Sequence, residues 1–72
     1  MSMFEIRTYA KSDLALLYCP QSTRETAMKT LYRWIKGCPL LVQELEGMDY
    51  NPSRRTFRTP EVRAIVKHLG EP

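Results

Sequence analysis

The segment from Ser12 to Lys36, SDLALLYCPQSTRETAMKTLYRWIK, constrains this chain more than any other. Its first part is a short apolar run carrying Leu14, Leu17 and Tyr18 as a stripe. Ser12 stands as an N-cap for that run, and Asp13 suits the positive end of a helix dipole. The run stops at Cys19-Pro20, because the residue before a proline is pushed out of the helical region. Ser22-Thr23-Arg24-Glu25 then fits a capping box, in which the Ser22 hydroxyl and the Glu25 carboxylate satisfy free backbone donors at a helix start. Ala27, Leu31, Trp34, Ile35 and, less centrally, Met28 recur on one side at helical spacing, so that side is expected to pack inward. Gly37 is placed to close the helix in a left-handed conformation. A short helix, a tight break and a longer helix with basic residues on its outer side is the layout of a helix-turn-helix.

The flanks complete the architecture. Residues Met3 to Thr8 alternate Phe4 and Ile6 with Glu5 and Arg7, the period of a short half-buried strand. Pro39 suits a first helical turn, and Leu41, Leu45 and Met48 continue an apolar face, with Gly47 as a stop signal. From Asp49 to Arg58 the chain reads as a turn around Asn51-Pro52-Ser53, flanked by Tyr50, Thr56 and Phe57, and suggests a small hairpin or wing. Thr59-Pro60-Glu61 is a cap, a proline at the first helical position and a first-turn acid. Val62, Ile65, Val66 and Leu69 follow at i, i+3, i+4, i+7, and Gly70 ends that helix. The expected fold class is mainly α: a helix-turn-helix-like domain of about four helices, with a short N-terminal strand pairing against a β-wing. Leu14, Tyr18, Ala27, Leu31, Ile35, Leu41, Leu45, Val62, Ile65, Val66 and Leu69 are the expected core.

Seventy-two residues make one small domain, spanning residues 1–72, which buries only roughly 60% of its unfolded surface. The apolar fraction of 43% and charged fraction of 26% are those of a globular chain rather than a disordered one. The longest apolar run, Leu14 to Cys19, is far short of the ~20 residues of a membrane span, and no secretory-type leader opens the sequence, so a cytoplasmic protein is expected. Eleven Lys and Arg against eight Asp and Glu give +3, a mild excess that favours polyanions. Placement matters more than the sum. Lys29, Arg33 and Lys36 recur on one helix and Arg54, Arg55 and Arg58 cluster in one loop, while Glu44, Glu46 and Asp49 collect between them.

Winding the second helix at about 100° per residue puts Thr26, Lys29, Arg33 and Lys36 opposite Leu31, with Tyr32 and Glu25 at one edge and Thr30 at the other. This is the candidate DNA face. Its Lys and Arg side chains suit phosphates or guanine edges, and Gln21, Thr23 and Thr26 near the helix start are placed to reach bases or backbone. Arg54, Arg55 and Arg58 on the wing would meet flanking phosphates. The bland counterpart is a solvated outer face and a basic loop whose charges balance nearby acids.

The remaining reactive residues suggest no chemistry. Trp34 and most of the tyrosines read as packing groups, with Tyr32, at the edge of the basic face, the one placed for ligand contact. His68 stands on the outer side of the last helix without a Cys or carboxylate at metal spacing. Cys19 and Cys38, 19 residues apart, suggest neither a zinc site nor a disulfide framework and read as buried free thiols. Without a glycine-rich phosphate loop, paired catalytic carboxylates or a nucleophile motif, no enzyme and no cofactor is expected.

With FEIRTYAKSDLALLY at the start, TAMKTLYRWI in the middle and FRTPEVRAIVKHLGEP at the end, the chain resembles a family of small uncharacterised proteins, a domain of unknown function found in gut bacteria of the Bacteroides group. The likeness spans nearly its whole length and implies a bacterial cytoplasmic setting, but no functional residue. Separately, the order strand, helix, turn, basic helix, wing, helix is similar to excisionase-like and MerR-like winged helix-turn-helix domains, whose helix and wing both contact DNA. The chain departs from them in its Cys19-Pro20 break and in an additional short helix at Pro39.

The expectation is therefore a DNA-binding accessory or regulatory protein that binds double-stranded DNA. Thr26, Lys29 and Arg33 would lie in the major groove, and Arg54, Arg55 and Arg58 on the backbone. A second copy of the chain is a candidate partner, because so small a unit contributes a limited interface. The competing expectation is a protein-interaction module on the same scaffold, presenting Tyr32, Tyr50 or an apolar groove to another protein.

Overall fold

The computed structural model describes residues 4–48, 50–51 and 53–72. Met3, at the start of the expected strand, and Asp49 and Pro52, in the expected turn, lie outside the described residues. The elements are β1 (Tyr9–Ala10), α1 (Lys11–Tyr18), α2 (Arg24–Lys36), α3 (Pro39–Gly47), β2 (Thr56–Phe57) and α4 (Thr59–Leu69). The two strands pair antiparallel, with Tyr9 opposite Phe57 and Ala10 opposite Thr56. Among the described residues, four helices and one short ribbon thus make a mainly helical domain.

Helix α1 packs chiefly on α2, and α3 bridges α2 and α4. Leu14, Ala27, Leu31, Ile35, Leu41, Leu45, Val62 and Ile65 are buried as their spacing predicts, and Tyr18, Val66 and Leu69 pack against them half-buried. Tyr9, Ala15, Phe57 and Ala64 join this core as well.

The strand lies later than the alternation of Phe4 and Ile6 suggests. A strand needs a partner ladder, and β2 offers two residues, which pair with Tyr9 and Ala10. Residues 4–8 instead fold back. The Tyr9 hydroxyl donates to the Glu5 carbonyl at 2.7 Å, Phe4 stacks on the Tyr9 ring, and Ile6 is left exposed.

Helix α1 begins at Lys11, before Ser12. Its N-cap, Ala10, has no capping side chain; the Lys11 N–H donates to the Arg55 carbonyl at 2.9 Å. A tertiary contact thus satisfies one of the free donors of the first turn. The Cys19 end falls as expected. The connection to α2 runs from Cys19 to Thr23, longer than the three or four residues usual in the motif.

Thr23 caps α2 in place of Ser22. Its hydroxyl accepts the Thr26 N–H at 3.2 Å, whereas the Ser22 N–H is drawn into the turn by the Cys19 carbonyl. The capping box expected of Ser22 and Glu25 is therefore replaced by a Thr23 cap, and Glu25 turns to Lys29 instead. At the other end Gly37 stays right-handed, with φ −75°. Pro39 starts α3 only two residues later and holds Cys38 extended, so the chain leaves α2 without a left-handed step. A Cβ on Gly37 would lie 3.3 Å from the Arg33 carbonyl oxygen.

Trp34 is another departure, being 41% exposed rather than core. It borders the Ala27–Leu31–Ile35 line and meets the edge of Tyr18, with ring centroids 6.1 Å apart. Cys19 and Cys38 are free and half-buried.

Helix α4 starts with Thr59 already inside it and Arg58 as N-cap, one residue before the expected cap. Glu61 supplies the capping acceptor, taking the Arg58 N–H at 2.7 Å. Gly70 ends the helix at φ 87°, a left-handed value that glycine adopts without steric cost.

Candidate nucleic-acid interface

The outer face of α2 is formed as its winding predicts. Thr26, Lys29, Arg33 and Lys36 are exposed, and so are Gln21 and Thr23 at the approach to the helix. The helix start is firm, because the Thr23 hydroxyl also donates to the Thr26 hydroxyl at 3.1 Å. Lys29 meets Glu25 one turn earlier at 3.5 Å, both being well exposed, an ion pair of little energetic weight. Arg33 and Lys36 make no ion pair among the described residues. Lys29, Tyr32, Arg33 and Lys36 line a shallow concavity along the helix.

The loop before α4 forms no hairpin of its own among the described residues, and it pairs with the N-terminal strand as expected. Among the described residues its only strand, Thr56–Phe57, pairs with the start of the chain rather than with residues near Tyr50. Two side chains direct this course. The Asn51 side-chain oxygen accepts the Ser53 N–H at 2.9 Å, which tightens the turn, and Phe57 inserts into the core at 1% exposure.

The three loop arginines separate in role. Arg54, expected to face a phosphate, turns inward: its guanidinium bonds the Glu61 carboxylate at 2.5 Å and the Thr56 carbonyl at 3.3 Å. Glu61 is almost wholly buried and holds the Arg58 N–H with its other oxygen. A buried carboxylate requires such a partner, so Arg54 is committed to the fold. Arg55 and Arg58 are exposed. Arg55 makes no side-chain ion pair among the described residues, and its carbonyl anchors the start of α1.

Lys11 joins the loop to α2, and the periodicity of the sequence gives no hint of it. It is 3% exposed. Its ammonium lies 4.6 Å from the Tyr50 ring centre and 5.3 Å from that of Phe57, within cation–π range. It also donates to the Tyr32 hydroxyl and to the Asn51 carbonyl, each at 3.3 Å. Tyr50 packs beside it with its hydroxyl buried and unbonded among the described residues. Burial, and next the nearby Tyr32 hydroxyl, raise the Tyr50 pKa well above the usual tyrosine value.

Tyr32 therefore stands between two basic surfaces. It lines the concavity of Lys29, Arg33 and Lys36, and also a second one, of about 250 Å³, against Ser53, Arg54 and Arg55.

His68 lies apart from this surface and is not solitary. It is half-buried, with Nε2 3.0 Å from Glu44 Oε1, and Lys67 donates to the same oxygen at 2.9 Å. These contacts tie α4 to α3 and hold the Glu44 carboxyl below its ordinary value, chiefly through Lys67 and then His68. Glu44 thus balances charge on α4 rather than on the arginine loop. Burial, then the charge of Glu71, pushes the Tyr18 hydroxyl up to about 12. No group of three or more His, Cys, Asp or Glu that could hold a metal ion occurs among the described residues, and no helix there is long and apolar enough to cross a membrane.

Fold and surface together define a small four-helix domain closed by a two-stranded ribbon, with a basic second helix. The chain belongs to the family DUF4248, a domain of unknown function, whose model matches residues 5–72. No curated protein and no solved structure matches it.

Proposed function

We propose that this protein is a non-enzymatic DNA-binding accessory or regulatory protein that lays α2 in the major groove of double-stranded DNA. The observation that carries the reading is the meeting at Tyr32 of two basic concavities, one along α2 and one against the arginine loop. One face thus offers Lys29, Arg33 and Lys36 together with Arg55, as a duplex with phosphates on both sides of its groove requires. Thr26, Lys29 and Arg33 are placed for the groove, with Gln21 and Thr23 at the helix start and Arg55 and Arg58 toward the backbone. Arg54 acts by holding the loop in place. The reading extends to a bacterial protein of winged helix-turn-helix type in which the 53–58 loop does the work of a wing.

The test is an NMR titration of labelled protein with a mixed-sequence duplex at low and at raised salt, repeated with Lys29→Ala/Arg33→Ala. Salt-sensitive shifts at residues 21–36 and 53–58, lost in the double variant, are expected. Absence of shifts at low salt, where even non-specific binding registers, would sink the reading.

A protein-interaction module is the second reading. It is favoured by Leu17, Trp34 and Leu40, which are 45%, 41% and 65% exposed. Silence toward DNA would move the weight to it.

A further inference from the structure

We infer that the cavity between the first turn of α1, Tyr32 of α2 and the 53–55 loop is a phosphate-binding pocket, occupied by a backbone phosphate of the nucleic acid docked on α2. The inference rests on the DNA reading above and adds a site to it, because Ser12 and Ser53 are drawn in by the structure alone.

The lining carries the argument. Lys11, Ser12, Tyr32, Ser53, Arg54 and Arg55 surround a space of about 250 Å³, Met28 completes it, and among the described residues no carboxylate lines it. Three cationic and three hydroxyl-bearing side chains converge there from three separate parts of the chain. Arg54 is balanced from behind by Glu61, so the charge most able to answer an incoming anion is that of Arg55. The position of Arg55 is fixed by its own carbonyl, which accepts the Lys11 N–H at 2.9 Å. Its planar fork suits a phosphate's paired oxygens.

Tyr32 brings a hydroxyl to the pocket. An ammonium only donates, so the Lys11 contact at 3.3 Å uses an acceptor position on the Tyr32 oxygen rather than its phenolic proton. The Ser12 and Ser53 hydroxyls make no hydrogen bond among the described residues, so they too can donate. The positive end of the α1 dipole adds to the same potential.

The pocket also has the right neighbour. Tyr32 is shared with the concavity of Lys29, Arg33 and Lys36. A strand passing over α2 therefore brings a phosphate to the pocket without leaving the basic surface.

The experiment titrates labelled full-length protein separately with inorganic phosphate, at constant ionic strength against chloride, and with a short duplex. Wild type, Arg55→Ala and Tyr32→Phe are compared. Saturable phosphate shifts at Ser12, Tyr32, Ser53 and Arg55, appearing again with the duplex, are expected. Arg55→Ala should abolish the phosphate shifts and lower the log–log salt slope of duplex binding by about 1, while shifts at Lys29 and Arg33 persist. Arg55 is exposed, so the variant is expected to fold; Tyr32→Phe removes the phenolic donor together with the oxygen that accepts from the Lys11 ammonium. Duplex shifts confined to α2, with the pocket silent to phosphate, would overturn the inference and leave the DNA reading standing. Phosphate in the pocket with no duplex binding would overturn the nucleic-acid source and the DNA reading together, leaving a free-phosphate site.

Discussion

Among the described residues, Glu61 and Arg54 form an ion pair in which the carboxylate is withdrawn from solvent, its side chain being 2% exposed against 22% for the guanidinium. The same carboxylate caps α4 through the Arg58 N–H. One buried acid thus fixes both the start of the last helix and the course of the loop before it.

Arg54→Ala should therefore behave as a folding variant. It strands the Glu61 charge, at a cost of about 3 kcal/mol, and should lower Tm by more than roughly 10 °C in a domain of this size. Arg55→Ala, one residue on, should alter stability by no more than about 0.5 kcal/mol and weaken duplex binding instead. Thermal melts and salt-dependent binding of the two variants separate the roles; equal stability would contradict the Glu61 pairing.

The cap of α2 offers a sharper comparison between adjacent residues. Thr23→Ala removes the hydroxyl that accepts the Thr26 N–H and should cost about 1 kcal/mol. Ser22→Ala touches no capping bond and should stay within about 0.5 kcal/mol. Urea unfolding of both variants distinguishes the Thr23 cap from the capping box that Ser22 and Glu25 would make.

These two cases show where the sequence is readable. Helix α4 was legible because Thr59, Pro60 and Glu61 are local signals that agree, and Val62, Ile65 and Leu69 supply the period. Ser22 and Thr23 both suit a cap, and the choice between them was made by the Cys19 carbonyl, which takes the Ser22 N–H. The alternation of Phe4 and Ile6 misled because a strand depends on its partner, and β2 pairs further along. Lys11 and Glu61 carry charge, which pattern reading assigns to the surface, yet they lie buried against Tyr50 and Arg54. The basic face of α2 follows from helical winding alone, whereas the pocket behind Tyr32 depends on where the ribbon brings Ser53 and Arg55.

Helix α4 should respond to acid through Glu44. Its carboxyl is held below the ordinary value of 4.5, first by Lys67 and then by His68. A carboxylate with a depressed folded pKa binds fewer protons folded than unfolded, so its stabilising contribution is present above its unfolded pKa. That contribution is lost as pH falls through the folded value. Glu44→Gln should flatten the stability profile below about pH 4.5 and leave its shape near neutrality unchanged. Denaturation midpoints from pH 3 to 7 check this, and an unaltered acid limb in the variant would show that the contacts with Lys67 and His68 carry no linkage.

Glu25 is the one acid on the candidate DNA face, 3.5 Å from Lys29. Toward a duplex it acts in two ways: it engages a lysine that would otherwise meet phosphate, and its own charge repels the backbone. Glu25→Gln removes both effects at the loss of an exposed i,i+4 pair of roughly 0.2–0.5 kcal/mol. Duplex affinity at low salt should therefore rise a few-fold while stability barely moves. The gain should vanish near 1 M salt, where the Debye length shrinks to about 3 Å. If instead Glu25→Gln leaves affinity unchanged at every salt concentration while Arg55→Ala lowers it, the duplex would be seated on the loop and the pocket rather than along α2. Binding isotherms across a salt series on the two variants decide between these orientations.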